Sequence, residues 1–496
     1  MSAERVIVRK DTYFDSVSLM LASQEAGAMT SVEIASAMQA TPLNVGMLEV
    51  QGFSVPSDVG PNDLVIAVRA DVPESLEAAV AAIDAGLVAR VSVSEGATER
   101  AYHSWRELRR VAPSASLAMI AVAGRYSAAE CAAALEADLD IFCFSDGISV
   151  EHEVAFKRWA LSEGHLFMGP DCGTAIIGGV GLGFANRVQP GPVGIVGASG
   201  TGTQEICALL DRAGLGVSHA IGVGSRDLGA EVGGLMTLHA IDLLGADETT
   251  KAIVVVSKPP DPTVAARIGQ AAGRLDKPVV MVALGPQIAG GPGVKTTASI
   301  EAAVAEVCSL LGADPGPRTD HHLAPVVGFV RGLFCGGTLC YQAQLVLLAA
   351  GVKVRSNVPL DPSLALEDIW TSEGHTFIDL GEDAFTDGRL HPMIDPSLRD
   401  ARVKQEAADP EVGLIVCDVV LGDGAHPDPA AGLAAHISEA KAARDDLQFV
   451  IALCGTTKDP QDLESQARVL TDSGAVVARS TESAARSIVA ALGASS

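Results

Sequence analysis

At 496 residues the chain is too long for one hydrophobic core, and a guide of roughly 150 residues per domain predicts about three domains. With 48% hydrophobic residues, 4% aromatic residues and 51 glycines, the composition is typical of α/β proteins and excludes a disordered or fibrous chain. The formal net charge of -26 gives a surface that repels nucleic acid and anionic membranes, so we expect neither as a partner.

The cysteines and the N-terminus indicate the compartment. None of the nine cysteines forms a CxxC pair, which argues against a zinc site or a disulfide framework. The first 16 residues lack the apolar core of a signal peptide. The mildly apolar residues 326–352 contain Arg331, Gln342 and Gln344, which argues against a membrane span. We therefore expect a cytoplasmic protein with reduced thiols.

Strand and helix patterns alternate along residues 1–190. Such repeated βα units predict a mostly parallel sheet, with ligands at the carboxyl ends of its strands. The predicted strands are residues 6–8, 64–68, 118–122, 141–144 and 166–168, and the predicted helices are residues 16–25, 73–85, 128–137 and 151–163.

Two turns, residues 145–147 and 169–174, stand at such strand ends. Their ligand candidates are Asp146, Asp171, Cys172 and Gly173. A nucleophilic role for the cysteine is one interpretation, and a small packed thiol is the other and the commoner one.

The stretch GPVGIVGASGTGTQEI, residues 191–206, combines a short apolar strand, a Gly/Ser/Thr turn and the start of a helix. Such a turn leaves backbone N–H groups unpaired at a point where the helix dipole favours negative charge. The pattern therefore predicts an oxyanion site, and an ordinary helix N-cap is the alternative. The candidate ligands are Ser199, Gly200, Thr201, Gly202 and Thr203.

The same α/β alternation continues to residue 319, with predicted strands at residues 218–223, 252–256 and 279–283. Lys258 follows one of these strands and faces the same rim as the Ser199 turn, as an anion contact or as a plain surface lysine. Arg226 precedes Asp227 after another strand, and it suits either bidentate oxyanion binding or a structural Arg–Asp pair. Residues 314–318, DPGPR, form a plausible interdomain linker.

Residues 320–496 show the same alternation of predicted strands and helices. Predicted strands lie at residues 326–334, 377–381, 413–420, 449–454 and 476–479, and Gly336, Gly337 and Thr338 open a helix. Two successive domains would thus each begin with a strand, a small-residue turn and a helix, as after an internal duplication. If the two units pack with pseudo-symmetry, both helix N-termini converge on one anion.

A last candidate lies in GRLHPMID, residues 388–395. There His391 is either a general acid or anion contact, or a histidine that caps a loop. Glu382 and Asp383 suit Mg²⁺ but are more typical of exposed turns, so we predict no metal site.

Several of these stretches resemble a known family. Residues 144–176, which include GPDCGT, and residues 191–227, which include GASGTG, resemble the α subunit of succinyl-CoA synthetase. FIDLGEDA (377–384) and GLIVCDVVLGDGA (413–425) resemble the ligase domain of its β subunit. With KDTYFDSVSLM (10–20), EVGG, SKPP and GRLHPMIDP, almost the whole chain resembles the FdrA family.

The resemblance implies a fold with three domains. These are a Rossmann-like CoA-binding-type domain over residues 1–190, an α-like ligase domain over 191–319 and a β-like ligase domain over 320–496. Both ligase-type domains are expected to be flavodoxin-like. Position by position, Ser199, Gly200, Thr201, Thr203 and also Glu205 match the segment that holds the phosphorylated histidine in the relatives.

Two departures limit the chemistry that the resemblance implies. No histidine lies between His239 and His321, where the relatives carry the phosphohistidine loop. The resemblance assigns residues 320–496 to the ligase-like domain, so we expect no ATP-grasp domain in this chain. An oxyanion cradle without the relay histidine suits a reaction whose phosphate arrives on a small acyl phosphate.

The FdrA family is associated with carbamoyl transfer in allantoin breakdown, in which partner subunits take part. The resemblance therefore implies interconversion of oxalurate plus phosphate with oxamate plus carbamoyl phosphate, a small anionic substrate, operon-encoded partners and a homo- or hetero-oligomer. One alternative is an acyl-CoA synthetase or CoA transferase that binds CoA and needs an ATP-grasp partner. Another is a non-catalytic scaffold subunit.

Overall fold

The computed structural model describes residues 3–12, 14, 16–96, 104–284, 293–386 and 389–493. Two compact units divide the chain. The first unit comprises residues 1–101 with 381–395, and the second comprises residues 102–380 with 396–496. Each unit is described by itself.

The first unit contains a three-stranded antiparallel sheet with the order β1-β3-β2. Its central strand, LVIAVRA, is buried because five apolar residues run without interruption. The prediction of a parallel sheet is wrong here, since an apolar run carries no information on strand direction. The elements are β1 (Ala3–Arg9), α1 (Ser16–Gly27), β2 (Val32–Gln39), α2 (Pro42–Val50), β3 (Leu64–Ala70) and α3 (Pro73–Gly96).

The second unit begins with a small parallel sheet of the order β4-β5-β6. Ser149 caps its last helix by accepting a hydrogen bond from the His152 amide, and Gly164 ends that helix in the left-handed conformation. The elements are α4 (Trp105–Val111), β4 (Leu117–Ile120), α5 (Gly124–Glu136), β5 (Asp140–Cys143), α6 (Val150–Glu163) and β6 (Phe167–Met168).

A seven-stranded sheet follows, with the order β13-β12-β11-β9-β10-β7-β8. Strands β9 to β13 pair in parallel, and the hairpin of β7 and β8 adds an antiparallel edge. The elements are β7 (Thr174–Ile177), β8 (Val180–Gly183), β9 (Pro190–Gly197), α7 (Gly200–Arg212), β10 (Val217–Gly222), α8 (Leu235–Ala246), β11 (Ala252–Ser257), α9 (Pro262–Ala272), β12 (Val279–Ala283), β13 (Val294–Thr297) and α10 (Ile300–Leu311).

The last sheet is six-stranded and parallel, with the order β15-β16-β14-β17-β18-β19. Its elements, apart from α12 in the first unit, all belong to the second unit. They are β14 (Phe329–Phe334), α11 (Gly337–Ala349), β15 (Arg355–Ser356), a 3-10 helix (Pro362–Leu364), β16 (Thr376–Asp379), α12 (Asp383–Thr386), α13 (Ser397–Ala408), β17 (Val412–Val420), α14 (Pro429–Ala443), β18 (Gln448–Cys454), α15 (Leu463–Asp472), β19 (Val476–Ala478) and α16 (Thr481–Ala491).

The predicted mixed α/β fold with parallel sheets is confirmed. The two large sheets also share one internal order, since β10-β9-β11-β12-β13 in one corresponds to β16-β14-β17-β18-β19 in the other. In both, the helix that follows the second strand of this order begins at a small-residue turn. Among the described residues, no helix is both long enough and apolar enough to cross a bilayer.

Candidate active site at two facing helix starts

The starts of α7 and α11 face one another within the second unit. Ser199 Oγ lies 2.6 Å from Thr338 Oγ1, so the two predicted turns meet through their hydroxyl groups. A Cβ added at Gly336 would lie 2.8 Å from the Thr201 side chain, which shows how closely the turns approach. The predicted convergence of the two helix starts is therefore present in the structure.

The turn before α7 keeps part of its hydrogen-bonding capacity. Ser199 caps the helix by accepting a hydrogen bond from Gly202 N at 3.0 Å, and Thr203 Oγ1 donates to Ser199 O at 2.6 Å. The Gly202 amide and the Thr203 hydroxyl therefore both donate hydrogen bonds inside the turn. Within the described part of the chain, the amides of Gly200 and Thr201 have no protein acceptor, and both residues are half-exposed. An oxyanion at this helix start would meet these two amides.

The turn before α11 differs because a buried carboxylate already occupies it. Asp418 accepts hydrogen bonds from Cys335 N at 2.6 Å and from Gly336 N at 2.9 Å. Gly336 therefore does not serve as a free anion donor, contrary to the prediction. Burial raises the pKa of Asp418 to about 6, and the two amides and Arg399 oppose that rise. Asp379 adds a second carboxylate beside Gly337, where a Cβ would not fit.

Sequence reasoning missed Asp418. The sequence does contain a signal for a functional role of Asp418, because it is the one charged residue in VGLIVCDVV, a strand that is buried along its whole length. A charge in such a strand needs hydrogen-bond partners, and here the partners are backbone amides of a turn.

Lys258 follows β11 and lies near Tyr341 of α11. The side chain is exposed, and Nζ stands 5.9 Å from the centre of the Tyr341 ring. An exposed ammonium group at this rim is available to a carboxylate or phosphate.

Two further predicted turns border the Ser199 turn. A Cβ at Gly200 would lie 3.7 Å from Gly173 Cα, and Asp171 N donates to Ser145 O at 3.1 Å. Asp146 and Asp171 are both exposed. The four predicted turns of the second unit, at residues 145–147, 169–174, 199–203 and 336–338, thus lie next to one another.

Cys172 behaves as a packed thiol. The residue is buried, and its Sγ donates to Thr174 O at 3.6 Å. Burial raises the pKa of this thiol to about 12, which disfavours the thiolate that a nucleophile requires. All nine cysteines, each within the described residues, are buried free thiols.

Arg226 and Asp227 do not pair with each other. Arg226 Nε lies 2.9 Å from Glu153 Oε2, and Arg226 Nη2 donates to Ile148 O at 2.7 Å. Asp227 instead receives Lys157 Nζ at 2.8 Å, and Lys157 also donates to Glu153 Oε1 at 2.7 Å. Because a carboxylate engages this guanidinium, Arg226 acts in a structural network here rather than as a free anion ligand.

The prediction that Glu205 contacts the anion directly is also wrong. Its Oε1 accepts a hydrogen bond from Thr481 N at 2.6 Å, at the start of α16. Burial, with a smaller contribution from the neighbouring Glu301 and Glu482, raises the pKa of Glu205 to about 7, and the hydrogen bonds from Thr481 oppose that rise. The side chain therefore joins α7 to α16 and does not bind an anion at the turn.

His391 belongs to the first unit, with residues 381–395. Its Nδ1 accepts a hydrogen bond from Met393 N at 3.2 Å, and its carbonyl accepts from Ile394 N. Burial lowers the pKa of His391 to about 4, so the ring is neutral near pH 7. These contacts match the loop-capping alternative.

Three family models match the chain. Residues 333–490 match CoA-ligase, and residues 188–285 match the CoA binding domain. Residues 1–102 match the AllF, heavy metal-associated domain. The CoA-binding match therefore covers β9, the Ser199 turn and α7, whereas we had expected a CoA-binding-type domain over residues 1–190.

The metal in the name of the last model does not fit the residues present. Residues 1–102 contain neither cysteine nor histidine, which are the thiolate and imidazole ligands that soft metals prefer. The described residues also hold no group of three or more candidate ligands.

Ligases are among the similar proteins. Subunit alpha 2 of a succinate–CoA ligase [ADP-forming] from Archaeoglobus fulgidus is 32% identical over 181 residues, 35% of this chain and 61% of that subunit. The ADP-forming sulfoacetate-CoA ligase subunit SauD from Bilophila wadsworthia is 30% identical and is covered to 54%. The chain thus spans between half and two thirds of these relatives.

A solved dinucleotide-forming acetyl-coenzyme A synthetase 1 from Ca. Korarchaeum cryptofilum has 15% identity and a TM-score of 0.33, with 76% of this chain and 82% of that chain covered. A TM-score this low supports no argument about function.

Escherichia coli (strain K12) YahF matches nearly end to end, with 39% identity over 497 residues and 96% of both chains covered. With the CoA-ligase and CoA-binding matches, this makes the chain a succinyl-CoA ligase-like protein. It belongs to the family of Escherichia coli YahF.

Proposed function

We propose that the chain is an FdrA-type subunit that binds phosphate at the start of α7 for phosphate-dependent carbamoyl transfer. The observation that carries this proposal is that the amides of Gly200 and Thr201 meet no acceptor among the described residues, beside the hydroxyls of Ser199 and Thr338, which are 2.6 Å apart. The AllF domain match over residues 1–102 also supports the FdrA assignment. We propose a domain boundary at residues 319–320, between the two large sheets, and a cytoplasmic location.

The proposed reaction balances without a histidine relay. A phosphate oxygen attacks the carbamoyl carbon of oxalurate, the C–N bond to the oxamate nitrogen breaks, and that nitrogen takes the proton of the phosphate. The amides of Gly200 and Thr201 would hold the phosphate oxyanion, and the exposed Lys258, beside Tyr341 of α11, would add a countercharge. The carboxylates beside α11 leave α7 as the anion-binding half of the site.

A second candidate is acyl-CoA ligation with an ATP-grasp partner. The names of the succinate–CoA and sulfoacetate-CoA ligases favour it, and so does the CoA-binding match over residues 188–285. The diphosphate of CoA presents oxyanions to backbone amides as phosphate does, so Gly200, Thr201 and Lys258 also fit it. Bound CoA would supply the thiol that accepts the acyl group.

One assay separates the two candidates. The full chain with its partner subunits is given oxalurate and phosphate, or an acid with ATP and CoA, and the products are measured by NMR. We expect phosphate-dependent formation of oxamate and carbamoyl phosphate. Thr338→Val should reduce its rate, whereas Thr263→Val, at an exposed hydroxyl elsewhere, should not. CoA thioester formation without oxalurate cleavage would overturn the first proposal in favour of the second.

A further inference from the structure

A cavity of about 350 Å³ lies in the second unit, apart from the facing turns. Its wall includes Arg212 near the end of α7, Ser299 before α10 and Ser480 before α16. Its volume falls in the range of small-molecule sites. The two serines cap α10 and α16, so two helix starts border this cavity.

The wall of this cavity contains three arginines, Arg212, Arg318 and Arg479, in a chain with 61 acidic and 35 basic residues. The wall contains two carboxylates, Glu301 and Glu482, and both are already paired. Arg486 Nη1 lies 2.8 Å from Glu301 Oε2 and 2.9 Å from Glu482 Oε1, and Arg318 Nη2 adds a contact of 3.0 Å to Glu482.

The two remaining arginines of the wall are less fully engaged. Arg212 Nη2 donates to Arg479 O at 2.8 Å, and no carboxylate pairs with Arg212 among the described residues. Arg479 bonds Glu464 at 2.9 Å through Nη2, but its Nη1 is buried without a hydrogen-bond partner in the described part of the chain. Two guanidinium groups brought together in this way are stabilised by an anion.

We propose that this cavity binds a small polyanion that carries two oxyanion groups, as a diphosphate or a dicarboxylate does. Arg212 and Arg479 pair with its oxyanions, and the starts of α10 and α16 add favourable dipoles. The site is separate from the phosphate site at α7, so it stands whether or not that proposal holds.

Isothermal titration of the full chain with pyrophosphate, and separately with succinate, tests the proposal. We expect saturable binding of at least one probe. Arg212→Gln and Arg479→Gln should each weaken it by about tenfold, the effect of losing a charge-assisted hydrogen bond. Arg355→Gln removes a comparable, partly exposed arginine of the same unit outside the cavity and should leave the affinity unchanged.

Thermal melting in buffer identifies any variant that fails to fold. If Arg212→Gln fails to fold, Arg212→Lys, which keeps the charge, takes its place and should bind the anion more weakly than wild type. Absence of saturable binding of both probes to the wild-type chain would overturn the proposal. Equal affinities of the wild type and the arginine variants would also overturn it, since the anion would then bind elsewhere.

Discussion

Glu205→Gln should change how the stability of the second unit depends on pH. The folded protein raises the pKa of this carboxyl from 4.5 to about 7, chiefly by burial. The unfolded chain ionises the group near its ordinary pKa. The stabilisation from the neutral form is therefore complete below pH 4.5 and is lost as the pH rises through 7. Raising the pKa from 4.5 to about 7 corresponds to about 3 kcal/mol of stabilisation of the folded state at low pH.

Glutamine keeps an oxygen that can accept from Thr481 N, and it stays neutral at every pH. Over the range from pH 5 to pH 8, which spans most of this effect, the wild-type chain should thus lose about 2–3 kcal/mol more stability than the variant. Urea unfolding followed by circular dichroism at several pH values measures this difference. Glu439→Gln, at an exposed carboxylate of the same unit, is the control and should match wild type. Identical pH slopes for wild type and Glu205→Gln would refute the reasoning.

Two further substitutions test the packing around the site. Lys157→Met removes the buried ammonium group that Glu153 and Asp227 share, although Glu153 keeps its contact with Arg226. The variant should cost about 3–5 kcal/mol in urea unfolding, whereas Lys404→Met on the surface should cost under about 1 kcal/mol. Gly336→Ala pushes a methyl group against Thr201 and should cost about 1–3 kcal/mol, while Gly46→Ala, with open space around it, should not destabilise the chain. A stable Lys157→Met or Gly336→Ala protein would contradict these contacts.

Much of the fold follows from local pattern. The strand, glycine turn and helix around Ser199 appear as predicted, because a buried apolar run and a capping serine act through neighbouring residues. The repetition of this unit before α11 also predicted which turns would meet. The first sheet was misjudged, since β2, VEIASAMQ, lacks a continuous apolar run and strand direction is set by tertiary pairing.

Side-chain partners at the site were harder to predict. Arg226 and Asp227 are adjacent in sequence, yet Glu153 and Lys157 on a distant helix take them as partners. Likewise the use of the Gly336 amide depends on Asp418, which lies 82 residues away in the chain. Long-range ion pairs leave no trace in spacing, so the residue types were found but not their partners.

The central claim is that the amides of Gly200 and Thr201 at the start of α7 hold a phosphate, and Gly200 allows a direct test. Gly200→Pro deletes one amide at the first helical position, where proline is tolerated, and the extended Ser199 before it (φ -152°, ψ 125°) suits a following proline. Gly200→Ala keeps the amide and adds a methyl group. This methyl group fits because a Cβ at Gly200 meets only ordinary van der Waals contacts.

The measurement is the dissociation constant of inorganic phosphate for both variants, by calorimetric titration at one ionic strength. We expect the proline variant to bind phosphate at least about tenfold more weakly than the alanine variant, through the loss of one charge-assisted hydrogen bond. Equal dissociation constants for the two variants would contradict the claim that this helix start is the phosphate site.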